Sequence, residues 1–422
     1  MAKSLKGEIT VPGDKSISHR SLMLGSISEG RTRIKGLLRG ADCLSTMSCM
    51  RALGVSIDDN GNEIVVHGVG LNGLKKPAQM LYTGNSGTTT RILSGILAGQ
   101  PFETTITGDE SIEKRPMKRI ITPLSLMNAD ISSVNGNDCA PLSIKPSTLH
   151  GINYDSPVAS AQVKSCILLA GLYADAPTTV TEPALSRNHT ELMLRAFGAD
   201  IETSGYSATV TPGNTLHGQD IQIPGDISSA AYFIAAGLIV KDSEILISNV
   251  NINPTRAGII KVVKSMGGTI DILNERIVSG EPVADLYVKS SHLHGTEIGG
   301  ADIPTLIDEI PIIAILAANA DGQTIIRDAS ELHVKESDRI KSISENLTRM
   351  GSDIMPTSDG MIIYGGARLH SAKIKTMKDH RIAMAFSIAS LALDEDNSID
   401  DMDCVNISYP GFFETLSSII NN

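Results

Sequence analysis

Tryptophan is absent, and Phe and Tyr together make up only 3% of this 422-residue chain. That scarcity argues against a recognition surface of stacked rings, such as single-stranded nucleic acid requires. An excess of positive charge is missing as well. Thirty-six Lys and Arg stand against 47 Asp and Glu, a formal net charge of −11, which argues against nucleic acid or an anionic membrane as partner. Cysteines number five, an odd count, with no CxxC pair and no Cys/His cluster at metal spacing. Reduced, structural thiols are the natural reading, with no metal and no cofactor. No apolar run reaches the roughly 18 residues of a transmembrane helix. The start, Met-Ala-Lys-Ser-Leu-Lys-Gly, lacks a signal-peptide core, so a cytoplasmic protein is expected.

What the chain does have is Gly, Ala, Ile and Met in quantity and 41% hydrophobic residues overall. Such composition suits close helix packing, and the length is enough to bury two cores. Six times a short polar turn opens directly onto a small-residue apolar run. The turns centre on Asp14, Asn85, Ser160, Asp226, Asp308 and Asp379, 66 to 82 residues apart. Each run reads as a helix, followed by a strand and a second helix, and then a cadence: Leu-Gly-Val-Ser-Ile57, Met-Asn-Ala-Asp-Ile131, Phe-Gly-Ala-Asp-Ile201, Met-Gly-Gly-Thr-Ile270, Met-Gly-Ser-Asp-Ile354. Gly there suits a helix C-cap, with the Ile beginning a strand. Alternating strands such as Ile64–His67 and Met361–Tyr364 close each unit. A period this long exceeds the roughly 20 to 50 residues of solenoids, so closed α/β subdomains are expected.

Two near-identical crossings, Val11-Pro-Gly-Asp-Lys-Ser16 and Ile223-Pro-Gly-Asp-Ile-Ser228, divide the chain. The expected arrangement is an N-terminal domain over 14–225 and a discontinuous C-terminal domain over 226–422 plus 1–13. Each would hold three repeats, with Glu8–Val11 supplying the strand missing from the last. Two connecting strands make a hinge with a cleft between the domains, and an anionic ligand that bridged cations on both sides would close it.

Helix N-termini carry unpaired N–H groups and partial positive charge, so each turn is a potential anion site. Several add cationic side chains: Lys15 with Arg20, Arg91, Lys164, and Lys378 with Arg381. Gly13-Asp-Lys-Ser-Ile-Ser-His-Arg20 supplies an ammonium, hydroxyls and a guanidinium in one helical start, where the bland alternative is an Asp N-cap with surface cations. Leu81–Arg91 is a glycine-rich strand-to-helix turn without the Gly-Lys-Ser/Thr of a Walker A loop, and a turn needed only for packing is its plain alternative. Arg115 precedes a Pro expected at a helix N1 position. Asp308, Lys335-Glu-Ser-Asp-Arg339 and Asp379-His-Arg381 place carboxylates beside cations, as general acid/base work on a phosphorylated substrate requires. Glu336 and Arg339 also read as an ordinary i, i+3 pair.

Taken together, Gly84-Asn-Ser-Gly-Thr88, Lys335-Glu-Ser-Asp-Arg339, Lys15-Ser16 with Arg20, Arg115-Pro116 and Asp379-His-Arg381 resemble the 5-enolpyruvylshikimate-3-phosphate synthases. Ser-Ala-Gln-Val-Lys164, Arg-Asn-His-Thr-Glu191 and Asn-Pro-Thr-Arg256 resemble their class II branch. The resemblance implies an α/β enolpyruvyl transferase fold of two domains, each of three βαβαββ repeats, with the active site in the interdomain cleft. It implies transfer of the enolpyruvyl group of phosphoenolpyruvate to the 5-hydroxyl of shikimate 3-phosphate, a step towards chorismate and the aromatic amino acids, by a monomer. Shikimate 3-phosphate would contact Lys15, Ser16, Arg20, Ser160, Gln162, Arg187, Asp308 and Lys335. Phosphoenolpyruvate would contact Lys15, Gly87, Arg115, Gln162, Glu336, Arg339, His380 and Arg381. Asp308 is expected to handle the 5-hydroxyl proton and Glu336 the proton at C3, with Lys15 assisting phosphate departure. Class I members place a Lys before the C-terminal Pro; here that segment is Cys404-Val-Asn-Ile-Ser-Tyr-Pro410, so no phosphate ligand is assigned there.

Two alternatives stay open. A UDP-N-acetylglucosamine enolpyruvyl transferase shares fold and reaction, but usually carries a reactive Cys before the Arg-Pro motif, where this chain has Gly108-Asp-Glu-Ser-Ile-Glu-Lys-Arg115. A non-catalytic phosphometabolite-binding protein would show gaps among the ionisable residues, and none is found. Turnover without added metal is expected; complete loss after EDTA, restored by a divalent ion, would contradict it.

Overall fold

The computed structural model describes residues 4–421. The chain forms two compact units. One comprises Gly13–Ile223 together with Val278–Glu281, and the other the chain up to Pro12, Pro224–Ile277, and Pro282 onward. Each has its own hydrophobic core.

Three buried helices form the centre of each core: Lys15–Ile27, Gly87–Ala98 and Ala161–Gly171 in the first unit, Ile227–Ile239, Ile310–Ala318 and His380–Ser390 in the second. Beyond the polar and charged residues of their N-terminal halves, their sequences are mostly apolar or small because nearly every face is covered; all nine residues of Ile310–Ala318 are buried. Small residues set the spacing. A Cβ on Gly95 would lie 2.1 Å from the Cys166 carbonyl oxygen of the neighbouring helix, so only Gly permits that approach.

Around the helices of the first unit lie three four-stranded sheets of one design: a strand parallel to the next, followed by an antiparallel hairpin. They hold Asp220–Gln222 beside Glu29–Lys35, Leu81–Tyr82 beside Thr104–Thr107, and Asn153–Asp155 beside Thr178–Thr181. The second unit repeats the pattern with Glu297–Ile298 beside Gln323–Ile326. The cadence before each hairpin has one physical cause. Gly54, Asn128, Gly198, Gly267 and Gly351 all have φ between 68° and 96°, the left-handed conformation that ends a helix and that Gly and Asn adopt most readily. The strand then begins one residue before the Ile, at Ser56, Asp130, Asp200, Thr269 and Asp353.

The N-terminal strand, Ser4–Thr10, differs from the sequence expectation. Its long register is parallel to Glu244–Asn251 of the fourth repeat, from Lys6 against Glu244 to Thr10 against Ser248. Among the described residues it pairs with the last repeat's short end strand at two positions, Ser4 against Asn421 and Leu5 against Ile420. The last repeat has no hairpin among the described residues. In its place the Phe412–Ile419 helix packs inward, and the scarce aromatics gather there: Phe412 lies 5.9, 5.7, 5.5 and 5.1 Å, centroid to centroid, from Tyr232, Phe233, Tyr409 and Phe413.

All five cysteines are free. Burial pushes the Cys49 and Cys404 thiols up to about 12 and Cys166 higher still; Cys139 alone is not fully buried. A disulfide reagent at pH 8 is therefore expected to find one fast-reacting thiol in the native protein and five after denaturation. More than one fast equivalent would contradict this packing.

Candidate active site

The Lys15–Ile27 helix is capped by Asp14, whose Oδ1 accepts from Ile17 N at 2.9 Å. That cap brings Lys15, Ser16 and Arg20 to one end of the helix. Lys15 pairs with the Asp42 carboxylate. Arg20 is held on three sides, by Thr190 Oγ1 at 2.6 Å, Ser165 Oγ at 2.7 Å and the Ser16 carbonyl at 3.0 Å. Burial lowers the Arg20 pKa to about 10, against the nearby Glu191 carboxylate, which favours the charge. Arg20 remains a guanidinium at neutral pH. Arg187 reaches the Ser16 hydroxyl at 3.4 Å.

The glycine-rich turn is capped by Ser86, not by Asn85, with Thr89 N donating to Ser86 Oγ at 3.1 Å. Gly87 is the first residue of that helix. A Cβ there would lie 3.2 Å from an Arg91 nitrogen and 3.3 Å from one of Arg115, so Gly87, Arg91 and Arg115 converge. Gln162 completes the group: its Oε1 accepts from Arg91 at 2.7 Å and its Nε2 donates to Thr88 Oγ1 at 3.0 Å. Pro116 does not occupy the first helical position. The following helix starts at Lys118 after a Met117 cap, and Met117 N donates to the Asp138 carbonyl at 2.7 Å. Ser160 caps the Ala161–Gly171 helix through its backbone.

In the second unit, Asp308 is the focus. Its carboxylate lies 3.5 Å from Lys335, 3.5 Å from Arg339 and 3.7 Å from Arg381, and its carbonyl accepts from Arg381 at 3.1 Å. Asp308 is not itself the helix cap, which is Glu309. Arg339 also binds Glu336 at 2.6 Å and clasps Asp379 through Nε at 2.8 Å and Nη2 at 3.2 Å. Burial works against both members of that pair, yet the opposite charges win, raising Arg339 and lowering Asp379. For Arg381, burial is likewise outweighed by Asp308. Both residues stay fully charged. Arg339 Nη1 is buried and faces the Asp308 carboxylate at 3.5 Å, beyond hydrogen-bond distance. His380 is buried on the first turn of the His380–Ser390 helix, beside the Asp379 cap.

All fourteen expected site residues thus fall into two groups, one in each unit. Arg91, Asp42 and Asp379 belong with them but were not assigned roles from sequence. Arg91 was visible as a cation in a special turn; its bond to Gln162, 71 residues away, was not.

A family model described as EPSP synthase (3-phosphoshikimate 1-carboxyvinyltransferase) matches residues 1–416. The chain belongs to this family. It is 54% identical over 418 residues to the 3-phosphoshikimate 1-carboxyvinyltransferase of Brevibacillus brevis, covering 99% of this chain and 98% of the relative. To that of Thermoanaerobacter sp. it is 55% identical over 415 residues, 98% of both chains. The EPSP synthase structure from Acinetobacter baumannii superimposes with a TM-score of 0.89 at 46% identity, covering 100% of this chain and 98% of the other. The enolpyruvyl transferase NikO from Streptomyces tendae superimposes with a TM-score of 0.79 at 16% identity, over 99% of this chain and 96% of that one, a likeness of fold.

Proposed function

We propose that the chain transfers the enolpyruvyl group of phosphoenolpyruvate to the 5-hydroxyl of shikimate 3-phosphate, releasing phosphate, as a cytoplasmic monomer. The observation that carries the chemistry is the convergence of Lys335, Arg339 and Arg381 within 3.5 to 3.7 Å of one carboxylate, Asp308. Cations that fix anions surround a group able to accept a proton.

Shikimate 3-phosphate is assigned to Lys15, Ser16, Arg20, Ser160, Gln162, Arg187, Asp308 and Lys335. Phosphoenolpyruvate is assigned to Lys15, Gly87, Arg115, Gln162, Glu336, Arg339, His380 and Arg381. Arginine forks suit its carboxylate and phosphate because they bind in pairs of parallel hydrogen bonds. Asp308 takes the proton of the 5-hydroxyl as that oxygen bonds to C2, and Glu336 delivers a proton to C3, giving a tetrahedral ketal. The C2–O bond to phosphate then breaks as C3 gives a proton back, with the Lys15 ammonium meeting the charge on the departing phosphate. The double bond is restored and the group has moved intact.

Phosphate release should require both substrates together, and UDP-N-acetylglucosamine should not replace shikimate 3-phosphate. Release from phosphoenolpyruvate alone, or with the nucleotide sugar, would overturn the assignment.

Gly87→Ala places a methyl against the ends of two flexible guanidinium side chains, Arg91 and Arg115. These can give by a few tenths of an ångström. The variant is expected to raise the inhibition constant of glyphosate, the longer occupant of the phosphoenolpyruvate site, more than the KM for phosphoenolpyruvate. Equal increases would show that the methyl disturbs only shared anion contacts.

A further inference from the structure

Two of the class II-like motifs contain charged residues that the proposed chemistry does not use: Lys164 in Ser-Ala-Gln-Val-Lys and Glu191 in Arg-Asn-His-Thr-Glu. In the structure they meet a third, Glu182, from the loop after the Thr178–Thr181 strand. Lys164 Nζ lies 2.7 Å from Glu182 and 2.8 Å from Glu191, and none of the three side chains is more than 4% exposed. Sealing one ammonium between two carboxylates is costly, and an apolar cluster of the same volume would serve packing as well or better. Packing alone does not account for it.

The contacts of Glu182 indicate what does. Its Oε1 accepts from the backbone N–H of Ser160 at 2.9 Å. Its Oε2 accepts from the Ser186 hydroxyl at 2.9 Å and the Ser186 N–H at 3.3 Å, besides pairing with Lys164. One carboxylate therefore fixes the turn before Gln162 and the loop that presents Arg187. Lys164 donates to the Ser186 carbonyl at 3.4 Å, clamping that loop from its other side. On the neighbouring helix, Glu191 follows Thr190, the residue that holds Arg20 Nε.

We infer that Glu182, paired with Lys164, is a positioning residue for the phosphorylated acceptor: it sets Ser160 and, through Ser186, Arg187 without touching substrate. The inference rests on the assignment of those residues to shikimate 3-phosphate. Displacing such ligands by a fraction of an ångström weakens one substrate selectively, short of the roughly 100-fold that a full 1 Å misplacement costs.

The test is steady-state kinetics of wild type, Glu182→Ala and Glu182→Gln, each substrate varied in turn, alongside thermal unfolding. Glu182→Ala should raise the KM for shikimate 3-phosphate about tenfold, with kcat and the KM for phosphoenolpyruvate changed less than about threefold. Glu182→Gln keeps an acceptor for Ser160 and should lie between the two, still with a selective rise of at least about threefold; its near-identical volume keeps the test valid should the alanine variant fail to fold. A folded Glu182→Gln enzyme with unshifted KM values, or with both raised by one factor, overturns this inference alone. A wild-type chain that releases no phosphate from the two substrates overturns the enolpyruvyl-transfer assignment, and this inference with it.

Discussion

Asp308→Ala is expected to lower kcat by about 10²–10⁴-fold. Asp308 lies 3.5 Å from both Lys335 and Arg339, so its carboxylate is aimed, and no other carboxylate is assigned the hydroxyl proton. The KM for shikimate 3-phosphate should move much less, because the cations that hold the phosphate remain. The same removal leaves Lys335, Arg339 and Arg381 facing one another without their shared counter-ion. The apo variant should therefore be less stable than wild type, and substrate should restore stability, since an anion takes the place of the lost carboxylate. Single-turnover measurements and thermal unfolding with and without phosphoenolpyruvate read both effects. A kcat within a few-fold of wild type would remove Asp308 from proton transfer.

The second large effect is on stability. Arg339 is 1% exposed and pairs with Asp379, which is fully buried, and with Glu336. Arg339→Leu fits the space but leaves the Asp379 carboxylate buried without its guanidinium. Breaking a buried pair from one side costs about 3–5 kcal/mol, which for a unit of this size lowers the melting temperature by roughly 10 °C. The double variant Arg339→Leu/Asp379→Leu should recover much of that loss while remaining inactive. A single variant that melts with wild type would show that the pair contributes nothing.

These two residues mark how far the sequence could be read. The Lys335–Arg339 segment and Asp379–Arg381 were recognisable as cation-rich helix starts because capping is local: Asp338 and Asp379 accept from N–H groups three and two residues on. The cadence before each hairpin was equally legible, since a left-handed residue at a helix end leaves Gly or Asn in the sequence. What escaped notice depends on contacts between distant segments. Pro116 has the local signature of a first helical position, yet the helix starts two residues later, after a Met117 cap whose N–H is tied to the distant Asp138 carbonyl. The sequence shows no hairpin for the last repeat, which suggests pairing with the N-terminal strand; that strand does pair there at Ser4 and Leu5, but its longer register lies along Glu244–Asn251, a pairing between distant segments. Glu182 had no signature at all, being an acidic residue in a loop whose partners, Ser160 and Lys164, lie on a preceding turn and helix.

The central claim is that an intact enolpyruvyl group moves, with cleavage between carbon and oxygen. Phosphoenolpyruvate labelled with oxygen-18 at the bridging position distinguishes this from phosphoryl transfer. Attack at C2 followed by loss of phosphate sends the label out with the phosphate, and the product gains three carbons and none of the label. Mass spectrometry of both products should find the phosphate labelled and the enolpyruvyl product unlabelled; label retained on the three-carbon fragment would mean that the phosphorus–oxygen bond had broken, and would contradict the account.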